Sequence, residues 1–535
     1  MNLKTYNIAS PLIMVSVFFA LLPVVSGDYL RQDDWNAALW NGKNISDHVE
    51  YRNATFEMFR PVSMFIFYLT DMVSLHIEYA KYVRLINVLL IGLIGICLYS
   101  WGQKFNKNKI FNLCFSISSC TLPAFQIYAA TANYCFMIIT VLMSAISIHF
   151  LYRWYLKKNN QSKFYLIAGC VFFFISLMNY TLAAMFVWVM LMMLFINSKK
   201  ELNNPNIRFL IHSSLIFIGL MLAYFLCAKF IHWGFNIKIV NPDRAVNISF
   251  DIMQKINYIF VVITLHTKLW LMRSYEISIV APLIILSLFI ASLKICLSGD
   301  KNGNYSNIFF SFFVTSFLFV LSFSPALAPS VGLVCFRYTV STMPFILYIL
   351  FWSICTVSVY FSKKITSNQE VILGVKNVIL IIVTIFGIII SNISVSELIV
   401  GPQRYELNFI RQKIYNQALP ALKDGKKVAI ELIKDDGKSY VKPGLAGFEY
   451  GMTSSGFRGM FIGSMVYLMR EIGFETNDKK VIPKWGEKQI LLDDLPWGAL
   501  FIRDYDVKKN KYIKQNWNKN YFNVTIDMRN IGPYR

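Results

Sequence analysis

The 535-residue chain is 56% hydrophobic and 16% aromatic but only 15% charged, where an average soluble domain carries about 25% charged residues. Its apolar residues gather into repeated runs of about 20, each long enough to cross a bilayer, which excludes an ordinary cytosolic protein and defines a polytopic membrane protein. The net charge of +22 sits in short basic groups between these runs and in a polar C-terminal part, without a nucleic-acid-binding motif, so it reads as topology and membrane-surface contact. The nine cysteines fall in or beside apolar runs and show neither CxxC spacing nor a disulfide framework.

In chain order, the first run, 8–26, lacks a small-residue cleavage pattern and is expected to be an uncleaved first span with a cytoplasmic N-terminus. Further spans are expected at 83–101, 110–128, 132–152, 164–178, 181–197, 209–230, 277–295, 308–324, 337–361 and 371–394, which makes eleven. Threaded alternately, they put Lys104, Lys107, Lys109, Arg153, Lys157, Lys158, Lys163, Lys199, Lys200, Lys363 and Lys364 on one side, the cytoplasmic one by the positive-inside rule. Two weaker stretches, 61–77 and 250–271, are interrupted by Asp71 and His76 and by Lys255, His266 and Lys268; they are expected to lie in the outer interface rather than to cross. The remainder, from Gly401 and Pro402 onward, is then an outer domain, 401–535, of ordinary small-domain size. Its pattern suggests an α+β fold, with a helix over 405–422, a strand over 427–432, an amphipathic helix over 457–472 and a strand over 522–528.

The polar residues that can carry chemistry cluster in the first outer loop, 27–82. Immediately after the first span comes Gly27-Asp28-Tyr29-Leu30-Arg31-Gln32-Asp33-Asp34-Trp35. Adjacent carboxylates repel, and partial desolvation near lipid raises their pKa, so Asp33 or Asp34 suits a general base for an acceptor hydroxyl, with Asp28 a third candidate. An isolated acidic pair more commonly caps a helix. Further along, Arg60 precedes Pro61, Arg84 opens the second span, and Arg337 stands at the mouth of the tenth. An ionisable residue at the depth of Arg337 is costly unless paired or facing an aqueous cavity, and each of the three arginines can be an interfacial anchor. Trp35 and Trp40, with Tyr51 and the later Trp485, Trp497 and Trp517, can stack on sugar rings, a role that competes with core and aromatic-belt positions. GxGxxG, Walker and HExxH motifs are absent, as is a cytoplasmic polar domain with a DxD pair for a nucleotide sugar.

The order of acidic pair, Arg60-Pro61 opening an interfacial helix, and Arg84 at the start of the next span resembles the GT-C superfamily of membrane glycosyltransferases. Within it, the size, the eleven-span layout and the C-terminal outer domain resemble the serotype-converting glucosyltransferases of bacterial O-antigen modification systems. The resemblance implies a bacterial inner-membrane enzyme that moves a sugar, glucose in the narrower group, from a polyprenyl-phosphate donor to a cell-surface polysaccharide on the periplasmic side. It places the catalytic carboxylate at Asp33, Asp34 or Asp28, the donor phosphate at Arg60 and Arg337, and the acceptor near Trp35 and Trp40. The implied functional partners are a flippase and a separate enzyme that charges the lipid. No metal ligand set is legible, and a divalent cation is neither required nor excluded. An O-antigen polymerase, or a flippase with charges lining an interior cavity, are the competing readings.

Overall fold

The computed structural model describes residues 3–27, 29–30, 59–74, 77–157, 161–198, 203–236, 251–270, 279–298, 305–327, 336–433, 468–469, 471–473, 489–495, 498–503 and 521–527. The protein is an α-helical membrane protein: seven of its helices are long and apolar enough to span a bilayer, or eight if a bent pair forms one crossing. The helices in chain order are α1 (Leu3–Val25), α2 (Pro61–Ser74), α3 (Ile77–Gly102), α4 (Lys109–Cys120), α5 (Pro123–Ala130), α6 (Cys135–Leu156), α7 (Gln161–Ala184), α8 (Val187–Ile196) and α9 (Pro205–Gly234). They continue as α10 (Ile252–His266), α11 (Val280–Ser298), α12 (Tyr305–Leu321), α13 (Thr342–Ile365) and α14 (Gln369–Ser394). Each of the eleven apolar runs read as a span is helical, but they differ in length. The run at 110–128 is broken by 51° between α4 and α5, where Pro123 starts a new helix. The apolar parts of α8, α11 and α12 are shorter than the seven helices long enough to span. At ten residues, α8 is about 15 Å long, half the hydrocarbon thickness, and Val187 to Phe195 are at most 1% exposed. A helix apolar on every side belongs inside the bundle, and α8 packs against α3, α6, α9, α12 and α13.

The polar part does not begin with a break at Gly401. Helix α14 runs without interruption through a π-turn, Val395–Val400, into α15 (Gly401–Lys413), a second π-turn, Ile414–Ala418, and α16 (Leu419–Lys423). Each π-turn precedes a proline, Pro402 or Pro420. A proline ring clashes with the carbonyl four residues back and offers it no donor, and a widened turn relieves both faults without ending the helix. Beyond it, four strands, β1 (Lys427–Ile433), β2 (Gln489–Leu495), β3 (Gly498–Arg503) and β4 (Tyr521–Asp527), form a sheet in the order β2-β3-β1-β4. The central strand β1 is parallel to both β3 and β4, while β2 and β3 pair antiparallel. Val428, Ala429 and Ile430 of β1 are buried, as expected of a central parallel strand. Strands β2 and β3 were not among the elements expected from sequence, and most of the expected helix 457–472 lies outside the described residues.

Helix α3 organises the bundle, because α1, α2, α4, α5 and α6 all pack on it. Its buried Asn87 donates through Nδ2 to the carbonyls of Tyr128 (3.2 Å), Thr131 (3.1 Å) and Ala132 (3.5 Å), serving the break between α5 and α6. Unserved carbonyls out of contact with water are costly, so this one buried amide stabilises the break. About 25 Å away, beyond the other end of α3, Lys104 bonds His149 at 3.0 Å and lies over the rings of Trp101 (4.7 Å) and Tyr152 (4.8 Å). Burial, reinforced by neighbouring Arg153, pulls the Lys104 ammonium down to about 8. Asn87→Leu should destabilise the protein by about 1–3 kcal/mol, seen as a lower thermal midpoint in detergent. Carbon-13 NMR of methylated lysines should show one signal, lost in Lys104→Met, titrating near pH 8 and moving upward in Arg153→Gln.

Candidate functional site: an arginine–tyrosine cluster beside the first loop

The end of α1 is gripped by a buried arginine. Arg84 of α3 is 0% exposed and uses three donors on three carbonyls: Nε on Val24 (2.9 Å), Nη1 on Tyr29 (2.7 Å) and Nη2 on Gly27 (2.6 Å). Its guanidinium carbon also lies 4.0 Å above the Tyr29 ring. The last carbonyls of a helix have no internal partner and carry the negative end of its dipole, so a cation that donates to them satisfies both needs. Arg84 is therefore not the snorkelling lipid anchor that its sequence position allowed; it turns inward and fixes the departure of the first loop. The Tyr29 hydroxyl bonds the Ala130 carbonyl at 3.2 Å, pinning that departure to the α5–α6 break.

Two more arginines gather nearby around tyrosines. Phe59 adopts φ 51°, a left-handed conformation that an aromatic residue tolerates only when held. It is held by the Tyr224 hydroxyl, which donates to its carbonyl at 3.1 Å, and by ring contact with Tyr224 at 5.3 Å. This bend, with Pro61 as the first residue of α2, sets Arg60 outside the helix. The Arg60 guanidinium then lies 4.6 Å above the ring of Tyr180. Tyr180 itself interrupts α7 with non-helical angles (φ −157°, ψ 101°). Arg337 sits in a one-turn 3-10 helix, Phe336–Tyr338, and donates through Nη1 to the Tyr134 hydroxyl at 2.6 Å, while its own carbonyl accepts from the Tyr128 hydroxyl at 2.6 Å. Its guanidinium also lies 5.3 Å from the Tyr338 ring. The Tyr134 ring meets Phe136 at 6.4 Å and Phe136 meets Tyr180 at 5.7 Å, so a run of aromatic contacts links Arg337 to Arg60.

Their states differ from that of Arg84. Arg60 is half-buried; its Nε is out of contact with solvent and meets no hydrogen-bond acceptor among the described residues. A buried guanidinium N–H without an acceptor is costly, and an oxyanion is the ligand that would relieve it. Among the described residues no group of three His, Cys, Asp or Glu side chains is placed to hold a metal ion.

Of the residues expected from sequence, Arg60 and Arg337 are among the described residues, each held against tyrosines. Asp28, Asp33, Asp34, Trp35, Trp40 and Tyr51 lie outside the described residues, as do Asp243, Arg244, Trp485, Trp497 and Trp517. His266, expected to be solvated on an interfacial helix, is instead 2% exposed and bonded through Nδ1 to the Thr342 hydroxyl at 2.8 Å. The tyrosines of the cluster, Tyr128, Tyr134, Tyr180 and Tyr338, were not singled out, because tyrosines within or beside apolar runs have the pattern of an aromatic belt. The one usable signal was the gap between the runs 164–178 and 181–197, where Tyr180 breaks the helix. No protein-family model matches this chain, and no curated protein is detectably similar to it.

Arg84→Leu should destabilise the protein by about 3 kcal/mol, roughly 1 kcal/mol for each carbonyl left without a donor. It should also accelerate limited proteolysis within 28–58, with detergent-solubilised protein as the sample and mass spectrometry of the fragments as the readout. Arg84→Lys, a single point charge without the planar fork, should recover at most part of this.

Proposed function

We propose that the protein is a membrane glycosyltransferase of GT-C type that takes a sugar from a polyprenyl-phosphate donor and transfers it to O-antigen or another cell-surface polysaccharide outside the bacterial inner membrane. The observation that carries this reading is the pair Arg60 and Arg337: two guanidiniums joined through the rings of Tyr134, Phe136 and Tyr180, Arg60 with a buried N–H that meets no acceptor among the described residues. The cluster adjoins the start of the acidic loop, since Tyr29 bonds Ala130 and Tyr128, two residues away, bonds the backbone of Arg337.

In this reading eleven segments cross the membrane, α8, α11, α12 and the bent α4–α5 pair included, with α2 and α10 lying in the outer interface. The N-terminus is cytoplasmic, and the chain beyond α14 forms a periplasmic domain that contributes to acceptor recognition. The sugar is a hexose, glucose by the narrower resemblance. Asp33 or Asp34, with Asp28 the remaining candidate, accepts the proton of the acceptor hydroxyl as its oxygen bonds to the anomeric carbon. The bond from that carbon to the phosphate oxygen breaks, and the phosphate leaves on its lipid carrying one more negative charge. Arg60 and Arg337 stabilise that charge, which is larger in the transition state than in the bound donor. Trp35 and Trp40 stack on the acceptor sugar. A flippase and a lipid-charging transferase supply the donor.

Purified protein, polyprenyl-phosphate glucose and a panel of O-antigen polysaccharides test the reading. Asp33→Asn or Asp34→Asn should abolish transfer while the thermal midpoint stays within about 1 °C, and Arg60→Ala should lower kcat by about a hundredfold, the usual loss for one transition-state donor. Transfer that survives all three substitutions would overturn the assignment, and lipid movement across vesicles without any transfer would favour the flippase.

A further inference from the structure

Where α1 and α14 leave the apolar part of the bundle, a cavity of about 480 Å3 opens between them. Leu22, Pro23 and Val400 give it apolar surface, and Ser26, Ser396, Arg404 and Asn408 polar surface. The apolar run of α1 ends at Val25, so the cavity straddles the level at which hydrocarbon gives way to headgroups. Among the described residues, Arg404 is the only charged one lining it. One N–H of its guanidinium donates to the Ser26 carbonyl at 2.8 Å, and its plane lies so close against Gly27 that a Cβ there would overlap it. That is the physical reason for glycine at this position. The other guanidinium N–H groups meet no second acceptor among the described residues, and no carboxylate among those residues lines the cavity to neutralise the charge.

A cavity at the interface, lined by both apolar and polar side chains with a single cation among its described residues and a volume within the range of small-ligand sites, matches an amphipathic anion. We propose that it binds a membrane phospholipid, with the Arg404 guanidinium on the phosphate, Asn408 donating to the headgroup, and the upper acyl chain along Leu22, Pro23 and Val400. The bound lipid neutralises Arg404 and closes the gap between α1 and α15. It thereby holds Arg404 on the Ser26 carbonyl. The assignment does not depend on the transfer reaction, because its readout is lipid binding.

The test uses delipidated full-length protein in mild detergent, with three probes: phosphatidylglycerol, diacylglycerol without phosphate, and inorganic phosphate. Native mass spectrometry counts bound lipid, and thermal unfolding reports its effect. Phosphatidylglycerol should bind and raise the midpoint, while the other two leave it unchanged. Arg404→Gln should weaken phosphatidylglycerol binding by at least about tenfold, the cost of one charge-assisted contact. Ser396→Phe, which fills the cavity and leaves the Arg404–Ser26 bond intact, should do the same without lowering the midpoint of the lipid-free protein, and it decides the matter if Arg404→Gln fails to fold. Wild-type affinity for phosphatidylglycerol in the Ser396→Phe variant would overturn the site. An equal response to inorganic phosphate would overturn the lipid as its occupant, and an equal response to diacylglycerol would overturn the role of Arg404.

Discussion

A guanidinium held entirely away from water is costly unless its donors are used, and Arg84 uses its donors on the backbone at the end of α1. The direction in which the first loop leaves the bundle follows from that bond set. One turn further along α3, Asn87 serves the carbonyls at the α5–α6 break in the same way. Two polar side chains on a single buried face thus supply the donors for two interruptions of helical structure, at a depth where water cannot. Tyr29 links the two interruptions through Ala130, and Tyr128 carries the connection on to the Arg337 turn. The loop, the break and the arginine turn are one hydrogen-bonded unit with α3 as its support.

Arginines in this unit fall into two states. Each of the three Arg84 nitrogens already donates to a backbone carbonyl. Arg60 lies on an aromatic face with a buried N–H that meets no acceptor among the described residues, set there by a strained Phe59. Arg337 is oriented by Tyr134 and Tyr128 beside it. Strain at Phe59 and the interruption of α7 at Tyr180 both serve to bring cations and hydroxyls to one place, which is where departures from regular backbone are expected to concentrate.

Helix positions were legible because long apolar runs admit little else in a membrane. Their lengths were less so, because a run such as 110–128 continues in composition through the break at Pro123. Gly401-Pro402 has the pattern of a boundary, yet a π-turn absorbs the proline and the helix continues. Strands β2 and β3 escaped notice because Asp493 and Asp494 interrupt the alternation and the pairing partner β1 is distant in sequence. For the arginines, the place of Arg60 before Pro61 and of Arg337 at a span's mouth is plain in the sequence. The inward turn of Arg84 is not, since the carbonyls it serves are brought to it only by the packing of α1 on α3.

The claim on which the account depends is that Arg60 and Arg337 together bind a lipid-linked phosphate. The direct measurement is the affinity of undecaprenyl phosphate for the detergent-solubilised wild type, Arg60→Gln, Arg337→Gln and the double variant, by native mass spectrometry. The account predicts about tenfold weaker binding in each single variant and a still larger loss in the double. Undiminished binding in the double variant, with the protein folded, would contradict it.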